Sequence, residues 1–463
     1  MSIPSQVEQC LSERGVEFLV VSSETVPPIH RLLNVNEVPT DALVVTVLLE
    51  DSLGRVQALL PSDCLLNLSQ LCEQMGRNLT ALPPQTCLSL AQKHGSDKIM
   101  AIPYLYDLPI VADARLLESQ KIYLEVSGTD SYLEITREQF KKTLADADVG
   151  SFCVPLSRLK AEQIASDRAE VEKAIQNFTT LRIKQRLEQT LEMPPLPDTA
   201  EKIIQLRLDP EAGVSELAKV VERDPSLAAQ VVSWASSPYY AAPGTIKSVH
   251  DAVVRVLGFD LVINLALGLA LGKSVEMPKD GPHGVTPYWQ EAVYTATMME
   301  GLVKAVSADH RPSIGLSYLS GLLHNYGYLV LAHVFPPHFL LVNRHVEANP
   351  HVSHIYIERQ LIGVTREQIG SLLMDCWNMP EEITSALRWQ QTPQYEGEHA
   401  VYSYLLFVAT NLLRSRGLYQ GPAEPIPAAI YSKLHLDPVD AEAVLEKITE
   451  NKDELKEIAK YLG

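Results

Sequence analysis

Gly321-Leu-Leu-His-Asn-Tyr-Gly-Tyr-Leu-Val-Leu331 is a run of apolar side chains broken by an imidazole and an amide, His324 and Asn325. A run of this composition belongs in a protein interior, where the polar pair requires hydrogen-bond partners. Outward from it, nearly every segment reads as helix. Upstream, Phe259 to Gly272 is apolar enough to be a buried helix. Ser248 to Leu257 carries apolar residues at 249, 252, 253, 256 and 257, and Gly258 stands at the C-cap position. Asp224-Pro225 is a helix start, a capping carboxylate followed by a proline in the first turn. Leu159 to Leu191 is charged, helix-favouring and free of Gly and Pro, and Met193-Pro-Pro-Leu-Pro197 stops it. Downstream, Asp440 to Leu462 reads as a charged amphipathic helix pair. The expected organisation is an all-α domain over 193–463 preceded by a helical linker over 156–192.

Residues 1–155 have a different texture. Gly15–Ser22, Ala42–Leu49 and Val56–Leu60 are Val- and Leu-rich runs, the last two joined across Asp51-Ser-Leu-Gly54 as a hairpin. Ile122–Val126 and Tyr132–Ile135 flank a second turn, Ser127-Gly-Thr-Asp130. Helical patterns fall at about 4–14, 66–76, 86–93 and 137–146. The N-terminal domain is therefore expected to be α/β, with a mixed and substantially antiparallel sheet.

The chain has 463 residues, 46% hydrophobic and 21% charged, values that suit folded domains and leave little room for disorder. Net charge is −18, from 39 Lys+Arg against 57 Asp+Glu, which disfavours general polyanion binding. No basic segment followed by an apolar run opens the sequence, and Phe259–Gly272 is too short to span a bilayer. The cysteines, Cys10, Cys64, Cys72, Cys87, Cys153 and Cys376, form no CxxC and suit reduced thiols. A cytoplasmic location without membrane contact is the expectation. There is no G-x-S-x-G and no G-x-x-x-x-G-K-[ST], so neither a nucleophile elbow nor a phosphate loop is present in the sequence.

Residues 190–410 resemble the HD-related output domain (HDOD) family of bacterial signalling proteins. The resemblance is carried by Met193–Pro197, Glu216-Leu-Ala-Lys-Val-Val-Glu-Arg-Asp-Pro-Ser-Leu227, Ala235–Tyr240, Ile246–Ala252, Val256-Leu-Gly258, Gly321–Leu331 and Ile369–Pro380. It implies a helical fold related to the HD phosphohydrolases, which hold metal ions with histidines and aspartates on facing helices. His324 keeps one such position. At the others stand Asn325 for the partner aspartate, Glu291 and Arg366 for histidines, Gln390 and Gln391 for a histidine pair, and Thr410 for the last aspartate. An amide brings no ligand charge and a guanidinium repels a cation, so no metal and no cofactor are expected here. The expectation is a self-satisfied polar cluster in which Arg366 supplies the missing positive charge and Glu291 is its counter-ion. His333, His338, His345, His351 and His354 recur at irregular offsets and read as surface or internally bonded histidines.

Residues 4–146 resemble the YbaK-type aminoacyl-tRNA editing domain, the fold of the prolyl-tRNA deacylases. The order of elements carries this resemblance, together with a helix near 30, Leu108–Asp113, Gly128 and Leu133–Phe140. The family holds the aminoacyl ester with a strand lysine and a Gly-rich, Pro-containing loop. Here Val44 or Val45 takes the lysine position, and Lys98-Ile-Met-Ala-Ile-Pro103 keeps only the proline of the loop. Residues 1–150 carry 11 Lys+Arg against 20 Asp+Glu, a net of −9 that suits tRNA poorly. Taken together, the resemblances imply a catalytically inactive regulatory protein. It would sense a small molecule or partner through its N-terminal domain and contact signalling proteins through the second. The alternatives are a metal-dependent phosphohydrolase of cyclic nucleotides and a trans-editing deacylase with an HDOD regulatory domain.

Overall fold

The computed structural model describes residues 3–22, 42–126, 131–159, 170–171, 173–174, 196–209, 211–240, 244–272 and 285–460. The helix near 30, the turn Ser127–Asp130 with Gly128, most of the 156–192 linker and the first prolines of Met193–Pro197 lie outside the described residues. The chain divides into two compact units, Met1–Gln163 with Leu341–Leu361, and Ile164–Leu340 with Ile362–Gly463.

The first unit is α/β. Its strands are β1 (Leu19–Ser22), β2 (Leu43–Asp51), β3 (Gly54–Pro61), β4 (Cys64–Leu66), β5 (Thr80–Ala81), β6 (Ile110–Asp113), β7 (Lys121–Val126), β8 (Ser131–Thr136), β9 (Asp148–Gly150) and β10 (Cys153–Pro155). The main sheet has the order β1-β8-β7-β2-β3-β6-β9, with β5 also on β2, and β4 pairs with β10 in a separate ribbon. The expected hairpin is β2–β3, in register from Val44 opposite Pro61 to Asp51 opposite Gly54. Arg77 clips its turn by donating to Asp51 Oδ1 at 2.5 Å, to Asp51 Oδ2 at 3.0 Å and to the Gly54 carbonyl at 2.8 Å. The sheet is mixed because β2 runs parallel to β7, β3 to β6, and β6 to β9.

Strand β2 is central and buried on both faces. Val44 packs with Leu59, Ile102 and Phe140 on one side. Val45 packs with Val47, Leu71 and Phe152 on the other, and Ala348 joins that second core.

Every described element of the second unit is helical. Asp224 caps the helix Pro225–Ala235 by accepting from the amides of Ser226 and Leu227, as its sequence signal requires. The helix Val249–Ala252 widens into a π-helical stretch, Val253–Leu257, and ends at Gly258 with φ of 81°. Phe259–Gly272 is a helix whose residues from Leu261 to Leu271 are all buried. Among the described residues no helix is long and apolar enough to cross a membrane.

A close backbone approach in this unit joins the helices Tyr326–Val334 and Arg366–Cys376. A Cβ on Gly327 would overlap the carbonyl of Arg366 and lie 2.8 Å from the Gly370 amide nitrogen. A Cβ on Gly370 would in turn meet the Gly327 nitrogen at 2.9 Å. Backbone cannot yield as a flexible side chain does, so the methyl must push the helices apart. Gly327→Ala is expected to destabilise the second unit by about 3 kcal/mol, the upper range for overpacking. Denaturant unfolding checks this, and curves that overlay the parent would contradict it.

Candidate functional site

The helix Ile314–Leu323 ends at His324, and Tyr326–Val334 begins after Asn325, so the polar pair occupies a break between two buried helices. Such a break leaves carbonyls without helical partners. The Gln390 side chain answers this, donating through Nε2 to the His324 carbonyl at 2.7 Å and to the Leu387 carbonyl at 2.9 Å.

Both nitrogens of the His324 ring are engaged. Nδ1 lies 2.7 Å from the Gly321 carbonyl, which can only accept, so Nδ1 carries the proton. Nε2 then accepts from the Tyr419 hydroxyl at 2.8 Å. Burial pushes the imidazole down to about 4, with the charges of Arg414 and Arg366 acting in the same direction. The ring is neutral at neutral pH.

Arg366 opens the helix Arg366–Cys376 and is 9% exposed. One guanidinium nitrogen donates to Asn325 Oδ1 at 3.3 Å, and the guanidinium carbon lies 4.5 Å from the centre of the Tyr328 ring. On the other side Arg414 donates to the Gln420 carbonyl at 3.1 Å, with its guanidinium 5.0 Å from the Tyr419 ring centre. Glu291 accepts from the Gln420 amide at 3.0 Å. Burial raises the Tyr419 hydroxyl well above its ordinary value, and Glu291, Arg414, Arg366 and Glu367 all act on it electrostatically.

His324, Asn325, Arg366 and Gln390 are thus directly linked, and Glu291 lies close by. Thr410 instead turns its hydroxyl onto the Leu406 carbonyl of its own helix at 2.9 Å, and Gln391 leaves its buried Oε1 without a partner. Tyr419 and Arg414 escaped the sequence reading. Their one signal is the glycine pair Gly417 and Gly421, both at positive φ, which folds the loop back. As donors for a divalent cation the central set fits poorly, because both imidazole nitrogens are committed and two guanidinium charges stand beside them. His345 and His351 are bonded within the first unit, to the Leu341 and Cys64 carbonyls at 3.0 Å each.

In the first unit, Val44 shares its core with Met100 and Ile102 of the loop ending at buried Pro103, while Val45 faces the opposite core. Val44 is therefore the residue on the loop side of the strand. Gln57 donates to the Ile102 carbonyl and to Thr46 Oγ1, each at 3.2 Å. Left-handed backbone here falls on Tyr104 and Asp107, with φ of 63° and 53°. Gly128 lies outside the described residues.

The HDOD domain model matches residues 193–393, the stretch that holds His324, Asn325, Arg366 and Gln390. A solved structure from Marinobacter aquaeolei VT8, described as a candidate signal transduction protein, is 42% identical with a TM-score of 0.88 and covers all of both chains. The chain contains an HDOD domain over residues 193–393. This HDOD protein also matches an uncharacterized protein of Treponema pallidum (strain Nichols), 23% identical over 309 residues. That match takes in 66% of the present chain and spans 57%, a little over half, of the curated relative. The N-terminal region is similar to a candidate trans-editing enzyme for prolyl tRNA synthetase, at 18% identity and a TM-score of 0.27, covering 32% of this HDOD protein and 95% of that chain.

Two outcomes are expected. Arg366→Ala removes a buried charge-assisted hydrogen bond and a cation–π contact, and should cost about 2–4 kcal/mol. Arg388→Ala, at a half-buried arginine over half-buried Trp389, should cost under about 1 kcal/mol. Equal melting of the two variants would contradict this. The second outcome concerns pH. The unfolded chain takes a proton on His324 near its ordinary 6.5, whereas the native chain refuses it down to about 4. Stability therefore falls as pH drops through that window, by about 3 kcal/mol for this group at the acid end. Unfolding curves between pH 7 and 4 should show that slope, and His324→Gln should flatten it.

Proposed function

We propose that this HDOD protein is a regulatory signalling protein that acts through protein contacts and not through hydrolysis. The observation that carries this reading is Arg366 on Asn325 beside a fully engaged His324. A fixed guanidinium supplies the positive charge that a metal ion supplies in an HD hydrolase, but it offers no bound water to activate. The description of the Marinobacter structure in terms of signal transduction supports the same direction. The N-terminal unit is read as the sensing module for a small molecule or partner, with signalling or regulatory proteins as the output. Val44, packed in one core with Met100 and Ile102, offers no strand amine to polarise an ester, which argues against deacylation.

The test is direct. The purified full-length protein is analysed for metal and then assayed with added Mn2+ on cyclic nucleotides and on mischarged prolyl-tRNA. Substoichiometric metal and no turnover on either substrate are expected. One Mn, Fe or Zn per chain surviving dialysis against chelator would overturn the reading, as would hydrolysis that Arg366→Ala or Val44→Ala alters.

A further inference from the structure

The first unit is completed by a segment drawn from within the HDOD stretch, Leu341–Leu361. Its role there is to close the free edge of β4. Across the ribbon, the Asn67 amide donates to the Phe152 carbonyl, so the odd-numbered residues face β10 and those at 64 and 66 face outward. Asn349, 1% exposed, meets that outer edge with its side chain. Its Oδ1 accepts from the Leu66 amide at 2.7 Å and its Nδ2 donates to the Leu66 carbonyl at 3.0 Å. A carboxamide thereby stands in for the peptide of a neighbouring strand. His351 Nε2 donates to the Cys64 carbonyl at 3.0 Å, one pleat away. His345 donates from Nδ1 to Leu341 and so accepts on Nε2 from Ser69 Oγ at 3.5 Å. Arg344 donates to the Leu79 carbonyl at 2.9 Å, and Val352 and Ile357 are buried against Leu65 and Leu156.

The residues that flank this segment in the chain, Phe339 and Arg366, belong to the second unit and share one ring there. Phe339, two residues before Leu341, has its ring centre 4.8 Å from that of Tyr328. Arg366, five residues after Leu361, lies over the same Tyr328 ring at 4.5 Å. Tyr328 follows Gly327, against which the Arg366 carbonyl is pressed, and Arg366 also holds Asn325.

We propose that Leu341–Leu361 is a coupling strap, so that its grip on the β4 edge and the clasp of Phe339 and Arg366 on Tyr328 rise and fall together. The link is covalent, since Phe339 stands two residues before the segment and Arg366 five residues after it. The coupling holds whatever signal the protein receives, and it is reciprocal by thermodynamic necessity. It gives the regulatory reading a physical route between the β4 edge and the His324 cluster.

Hydrogen exchange of the full-length protein, read by mass spectrometry, tests the strap. Asn349→Ala should accelerate exchange over 64–69 and also over 325–329 and 366–370, by roughly fivefold or more, the lower end of ordinary coupling. Segments 122–126 and 402–410 should not change. Tyr328→Leu should in turn accelerate exchange over 64–69. If Asn349→Ala does not fold, His351→Ala, which removes one hydrogen bond to the same edge at the Cys64 carbonyl, is judged by the same criteria. Acceleration confined to 64–69 would overturn the proposal, as would uniform acceleration across all segments or a Tyr328 variant that leaves 64–69 untouched.

Discussion

The contact between Gly327 and the Arg366–Gly370 turn sets the geometry on which the rest of the second unit depends. Two helices can approach backbone to backbone only where no Cβ stands between them, and here Gly327 faces the Arg366 carbonyl and Gly370. That approach brings the first residue of one helix, Arg366, to the break before the other. A wider crossing would carry the guanidinium away from Asn325 and Tyr328, and the buried charge would lose the groups that make its burial tolerable.

Once Arg366 is in place, the chemistry of the cluster follows from charge. A cationic guanidinium beside an amide and a neutral imidazole resists the arrival of a second cation, and it lowers the affinity of His324 for a proton. Burial does most of that lowering, and the arginines reinforce it. The Tyr419 hydroxyl is raised by the same burial, so it stays a donor to His324 over the whole physiological range. Ring, hydroxyl and carbonyl form a chain in which each group has one available role. Such a chain fixes the helix break, and the Gln390 amide fixes it again from the other side.

Much of this was legible in the amino-acid sequence, for identifiable reasons. Val- and Leu-rich runs around Asp51–Gly54 and the capping Asp224-Pro225 are local signals, and β2–β3 and Pro225–Ala235 lie where those signals place them. His324 and Asn325 were found because they fall within an ordered sequence block, 321–331, and Arg366 and Gln390 because they flank the block 369–380. The parallel pairings of β6 with β3 and β9 are non-local and made by short strands, so no periodicity announces them. Tyr419 lies 95 residues from His324 and reaches it only because a loop with two left-handed glycines folds back. The apolar pattern around Val352 and Ile357 shows that a face is buried but cannot say against what, and its partners turn out to be Leu65 and Leu156.

The most direct test of a closed, metal-free cluster is the 15N spectrum of the His324 ring in the histidine-labelled protein, titrated with Zn2+. The account predicts a neutral imidazole protonated at Nδ1 at neutral pH, with Nε2 shielded by the Tyr419 hydrogen bond and no change in either resonance as metal is added. A Zn2+-dependent shift of Nε2, with loss of the signature of that hydrogen bond, would show that the ring is available as a ligand and would contradict it.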